Sequence, residues 1–169
     1  FAARLVLAAT LVPIYGIYSG FELAENQPAS LENTEYLHSE KYELRTRDYG
    51  DPGSLAPLVR TVNAVRRRHP SVWALPDIRF HHSDNEQVLA YTRGHLDRDL
   101  LLVVVNLDPH HPQESWVRLD LGAIGLGDGG TYQLHDELTD ERYEWEGEAG
   151  WVRLDPTTRQ VAHLFHVTR

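Results

Sequence analysis

The chain has 169 residues, 41% apolar and 24% charged, enough for a real core in one or two domains and ordinary for a globular protein. Its formal net charge of −9 argues against a general affinity for nucleic acid or for anionic membrane surfaces. The absence of cysteine removes disulfides and thiolate chemistry, which fits a reducing compartment and a cytoplasmic expectation.

Phe1 to Val12 is apolar, interrupted by Arg4 and halted by Pro13. It falls short of the ~18 residues that span a bilayer and lacks the basic start and small-residue cleavage site of a signal peptide. Its alanines and leucines predict a core helix over Phe1–Thr10. With no methionine and a first residue Phe1, the sequence reads as a piece of a longer chain. Ile14-Tyr15-Gly16-Ile17-Tyr18-Ser19-Gly20-Phe21-Glu22 then reads as a buried strand that delivers residues to a site at its carboxyl end. From Ala24 to Gly53 there is little periodicity, and a loop of that length is usually functional or mobile.

Ser54 is a candidate N-cap, with Pro57 in the first turn and Leu55, Leu58, Val62 and Val65 at helical spacing. Arg66, Arg67 and Arg68 fall in the last turn, read as a solvated helix end, and His69-Pro70 stops the helix. After about Val72 the period becomes alternating. Strands are expected at Val88–Thr92, Leu100–Leu107, around Val117–Leu121, at Thr131–Leu134, around Tyr143–Trp145 and Val152–Leu154, and at Val161–Val167. The division is 1–72 for an α/β part and 73–169 for an antiparallel β-sandwich.

Candidate chemistry is sparse. Gly125 to Gly130 suggests a phosphate cradle, but a strand rather than a helix follows it, so a turn is the better reading. His81-His82 and His110-His111 are adjacent pairs whose side chains diverge on a strand, so no metal site is expected. Asp136-Glu137 and Asp140-Glu141 read as neighbours on an exposed hairpin turn, not as carboxylates facing across a cleft. No cofactor is implied, and no complete catalytic set is present. Lys41-Tyr42 remains: a loop lysine is usually solvated, but a multivalent donor beside an aromatic ring suits a sugar.

The residues from Thr10 to Glu22 resemble the eighth barrel strand of the α-amylase superfamily (glycoside hydrolase family 13). Glu22-Leu23-x-Glu25-Asn26, Ser39-Glu40-Lys41-Tyr42, Val105-Asn106-Leu107-Asp108-Pro109 and Asp136-Glu137-Leu138-Thr139 resemble one branch, the α-1,4-glucan:maltose-1-phosphate maltosyltransferases, from which Ala24 and Gln27 depart. The resemblance implies an α+β fragment: the last βα unit of a (β/α)8 TIM barrel followed by an all-β antiparallel C-terminal sandwich. It further implies a retaining transfer of maltosyl units from maltose 1-phosphate to α-1,4-glucan in glycogen or α-glucan synthesis. The family's catalytic carboxylates and phosphate contacts precede the eighth strand, so none is expected here. Lys41 and Tyr42 match residues that contact the donor maltosyl unit. The implied partners are the missing N-terminal barrel and a second copy in a homodimer. Two alternatives stay open. One is another enzyme of the superfamily, a hydrolase or a trehalose-forming isomerase. The other is a non-catalytic glucan-binding module using Trp73, Trp116, Trp145 and Trp151, for which core roles are the favoured reading.

Overall fold

The computed structural model describes residues 1–33, 35–37, 44–74, 77–127 and 129–169. Among these residues eight strands follow the first three helices: β1 (Ile78–Ser83), β2 (Val88–His95), β3 (Asp99–Asn106), β4 (Gln113–Arg118), β5 (Thr131–Asp136), β6 (Arg142–Glu146), β7 (Ala149–Leu154) and β8 (Ala162–Thr168). All pairings are antiparallel, in the order β6-β5-β8-β3-β2-β1-β4-β7. β1 turns the corner of the sheet: Ile78 to His81 pair with β2, whereas His82 and Ser83 pair with β4. The sheet thereby folds over itself into a sandwich that approaches a closed barrel. Its two edge strands meet where the Trp145 ring lies on Gly150, whose added Cβ would stand 2.1 Å from that ring.

β3 explains the uninterrupted apolar run read from sequence, because both of its faces are covered. Leu100, Leu102 and Val104 enter the sandwich interior with Leu134, Leu154 and Phe165. Leu101, Val103 and Val105 face outward against Leu5, Val6, Val62 and Val65. Those four belong to α1 (Ala2–Leu11) and α2 (Ala56–Arg68), which, with the short α3 (Pro70–Trp73), cover one outer face of the sheet. Each such side chain contributes about 1.5–3 kcal/mol by leaving water.

Both long helices stand where the periodicity places them. α2 starts at Ala56, two residues after Ser54, whose Oγ accepts the Ala56 N–H at 3.1 Å. The arginine run is not simply a solvated end. Arg66 donates to the carbonyls of Ala9, Val12 and Pro13, satisfying orphan acceptors at the end of α1, and Arg68 pairs with Glu137. Tyr91 on β2 joins Thr10 on α1 at 2.5 Å between their hydroxyls, and burial pushes the phenol up to about 12.

The expected strand over Ile14 to Glu22 does not form. Ile14 to Tyr18 have no regular structure, Ile14 is 87% exposed, and Phe21–Leu23 is one turn of 3-10 helix. A buried strand needs neighbours that take its N–H and C=O groups, and the strands among the described residues already pair within the antiparallel sheet. β1, α3 and the one-turn α4 (Leu121–Ile124), capped by Asp120, were not legible in the periodicity.

His81 on β1 carries a pH-dependent part of the stability. Its Nδ1 accepts the Asp120 N–H at 3.4 Å, so Nε2 holds the proton and donates to Thr92 Oγ1 at 2.9 Å. Burial and then Arg79 push its pKa down to about 4, against the opposing pull of Asp120. The unfolded chain therefore protonates first. This contribution is complete above about pH 6.5 and is lost as pH falls toward 4, by on the order of 2 kcal/mol after allowance for partial exposure. Urea unfolding at pH 7 and pH 4.5 should show a smaller pH effect in His81→Gln; an identical effect would assign the dependence to other groups.

Candidate functional site

Lys41 and Tyr42, the expected sugar contacts, lie outside the described residues. The base of their loop is described, and it is clamped. Glu25 stands at the entry and Arg45 and Arg47 at the exit. Arg47 Nε donates to Glu25 Oε1 at 3.0 Å, Arg47 Nη2 to Glu25 Oε2 at 3.3 Å, and Arg47 Nη1 to Ser19 Oγ at 3.2 Å. Arg45 Nη1 adds a bond to Glu25 Oε2 at 3.2 Å. Two-point contact between guanidinium and carboxylate fixes orientation as well as distance. Gly20 makes room for it: its φ is +95°, and a Cβ there would lie 2.3 Å from Glu25 Oε2. Inside the clamp the chain doubles back. Ala29 N–H donates to Glu35 O at 2.6 Å and Leu37 N–H to Gln27 O at 2.8 Å, with the Tyr18 and Tyr36 rings 5.9 Å apart.

Beside this base runs a groove of about 960 Å³, lined in part by Asn26, Tyr36, Ser54, Asp108 and Arg159. One ring with several donors and acceptors can hold a polyhydroxyl ligand by its face and its edges. The Asn106-Leu107-Asp108-Pro109 wall is built by side-chain caps. Asn106 Nδ2 donates to the carbonyls of His111 and Leu154 at 3.0 and 3.3 Å, and its Oδ1 accepts the Asp108 N–H at 2.8 Å. The Asp108 carboxylate accepts the N–H groups of His110 and His111, His111 Nδ1 and Gln113 Nε2. The His110 N–H leads in holding its pKa at about 2.

The carboxylates read as exposed neighbours are not all exposed. Asp136 is 0% exposed and accepts four bonds: His163 Nδ1 at 2.8 Å, and Leu138 N–H, Thr139 Oγ1 and Leu164 N–H each at 3.1 Å. Burial pushes its carboxyl up, but His163 and these amides outweigh it and hold the pKa below the ordinary value. Glu137 is also largely covered and lies 3.2 Å from His135 and 3.5 Å from His69. The hairpin turn between β5 and β6 is there, but the expected exposure fails at Asp136 because β8 packs across the end of β5 and encloses its last carboxylate. Asp140 and Glu141 do stay exposed.

Next to it, His69, Asp99 and His166 bring potential metal-ligand atoms within 4.8 Å of one another. These three come from distant parts of the chain, so no spacing rule could find them. His69 Nδ1 donates to Asp99 Oδ1 at 2.7 Å, and Asp99 Oδ2 accepts the Ser71 N–H at 3.0 Å. Burial acts against Asp99, yet these two bonds bring its pKa down to about 2. The group is a hydrogen-bonded brace that ties the α2–α3 junction to the start of β3. His81 and His82 point to opposite sides of β1, the first toward Thr92 and the second toward Asp84.

A family model described as "GLGE, C-terminal" matches residues 80–167. Over its whole length the chain is 47% identical to alpha-1,4-glucan:maltose-1-phosphate maltosyltransferase 2 of Streptomyces coelicolor and covers 25% of that protein. It is 44% identical over 99% of its length to the alpha-1,4-glucan:maltose-1-phosphate maltosyltransferase of Mycobacterium tuberculosis, covering 24% of it. The chain thus spans about a quarter of the length of the curated relatives it matches. Among solved structures, the noncanonic maltogenic alpha-amylase AmyB from Thermotoga neapolitana superposes with a TM-score of 0.69. That likeness has 14% identity and covers 98% of this chain and 36% of the other, so it is one of fold. No helix among the described residues is long and apolar enough to cross a membrane.

Proposed function

This chain belongs to the family described as GLGE, C-terminal, and we propose that it is the carboxyl-terminal part of an α-1,4-glucan:maltose-1-phosphate maltosyltransferase. The observation that carries this is 47% identity in a match that covers the entire chain. In the whole enzyme a carboxylate nucleophile attacks the anomeric carbon of maltose 1-phosphate while a second carboxyl group protonates the departing phosphate. The 4-hydroxyl of a glucan end then captures the maltosyl-enzyme, a double displacement that retains configuration. Both carboxylates come from residues before this chain, which supplies Lys41 and Tyr42 to the donor maltosyl unit and, alone, transfers nothing.

Residues 1–72 then complete a (β/α)8 barrel, with residues 73–169 as the appended sandwich. The exposed apolar side chains of Ile14, Ile17 and Tyr18 support this, since an eighth strand laid beside strands that precede it would cover them. The enzyme is read as a cytoplasmic homodimer of α-glucan synthesis.

Phosphate release from maltose 1-phosphate with a short maltooligosaccharide acceptor tests the reading. The whole enzyme should release phosphate and lengthen products by two glucose units; silence from folded enzyme would favour the hydrolase or isomerase. Lys41→Ala in the whole enzyme should lower kcat/KM for maltose 1-phosphate by about tenfold or more, the loss of one charged hydrogen bond. An unchanged value would remove Lys41 from the donor site.

A further inference from the structure

Two tryptophans of the sandwich stand outside its core. Trp116 on β4 and Trp151 on β7 are directly opposed in register, and they are 50% and 49% exposed. Their neighbours Ser115, Val117, Gly150 and Val152 are buried, so strand alternation sets both indoles on one outer face. Opposed residues of an antiparallel pair carry Cβ atoms about 4.5–5.5 Å apart, so the two rings share one aromatic surface. Trp145, two residues along from Tyr143 on β6, is buried instead and packs on Phe165.

The rim of this surface is polar and balanced. Glu114 lies opposite Arg153 in register, and Arg118 Nη2 donates to Asp84 Oδ2 at 3.3 Å. Two arginines face two carboxylates, leaving the rim near neutral in a chain of net charge −9. On the β7 side the surface runs into a groove of about 510 Å³ along the β6–β7 seam, where Trp151 and Tyr143 stand among Arg153, Asp155 and Gln160. Nucleic acid would call for an excess of cations, and a membrane or a protein helix for a broader apolar area than two indoles set among charges. A neutral polyhydroxyl chain matches both features: its C–H faces lie on the rings, and its hydroxyls both accept from arginine and donate to carboxylate. We infer that the Trp116–Trp151 face binds an α-1,4-glucan chain, a ligand class that rests on the transferase reading above.

Maltoheptaose titrated into this chain tests the inference, followed by tryptophan fluorescence and by the indole N–H signals in NMR. Binding should saturate, with the largest shifts at the Trp116 and Trp151 indoles and a smaller one at Trp145, whose buried ring only edges the adjoining groove. Trp116→Ala with Trp151→Ala should raise Kd by about tenfold or more and leave the fold intact, since both rings stand half out of the sheet. The shift map of the unaltered chain decides the question even without that variant. No saturation at millimolar glucan, the largest shifts elsewhere, or an unchanged Kd would overturn the inference. In the whole enzyme the double variant should keep phosphate release with a short acceptor and show a raised KM for long glucan. Failure of the unaltered enzyme to release phosphate would count against the transferase reading alone, while glucan binding by this chain decides the platform.

Discussion

Asp136→Ala should cost the chain about 3–5 kcal/mol, a large part of an ordinary folding free energy. The carboxylate is fully enclosed and accepts from His163, two main-chain N–H groups and the Thr139 hydroxyl. Removing it strands four donors at once, the buried His163 Nδ1 and Leu164 N–H among them, and desolvated donors without partners are what make such truncations costly. His163 is itself held in place, stacked on Phe165 with ring centroids 4.6 Å apart. It cannot easily swing out to water. Asp136→Asn keeps the shape but loses the charge and one acceptor, and should cost about half as much. Urea unfolding of the two variants measures both. A loss under about 1 kcal/mol for alanine would mean that the turn opens and hydrates without penalty.

How legible was this architecture? Where one face is wet, strand alternation placed the elements well: Val117 and Leu119 inward with Trp116 and Arg118 outward, Val152 and Leu154 inward with Trp151 and Arg153 outward. The same alternation put Trp116 and Trp151 on the surface, so the core role favoured for the tryptophans holds for Trp145 alone among these three. Trp73 is exposed as well. The Ile14 to Glu22 segment failed for the opposite reason. An apolar run states that burial is wanted, but only neighbouring strands can supply it, and those are not fixed by the run itself.

The polar interior was illegible for a further reason. Asp136 with His163, His69 with Asp99, and Glu25 with Arg47 are each joined across a long stretch of chain. A local reading sees a turn, a helix stop and a loop. Asn106 and Asp108 were noticed as part of a motif, and the structure gives that motif a physical content: they cap the β3–β4 connection and anchor it to β7. The donor contacts Lys41 and Tyr42 rest on the resemblance alone, and the clamp at Ser19, Glu25 and Arg47 is what the structure adds around them.

Arg93→Met should separate the two layers of the molecule. The guanidinium is 2% exposed and donates to four carbonyls, Ser71 O, Leu11 O, Val72 O and Ala74 O. Leu11 ends α1, and Ser71 to Ala74 form the end of α3, so one side chain satisfies acceptors left over at two helix termini. A cation is also favoured there by both helix dipoles. Methionine fills a similar volume and offers no donor, so the cost of about 3 kcal/mol comes from the abandoned carbonyls. Lysine should not rescue it, because an ammonium is a point charge and cannot span the fork that reaches four separate oxygens. The loss should be local. Amide exchange should quicken in α1 and α3, whereas Leu102 and Val104, shielded inside the sandwich, should exchange as before. Equal acceleration through β3 and β8 would show that the helices and the sandwich unfold as one unit, and that Arg93 supports the whole rather than the junction.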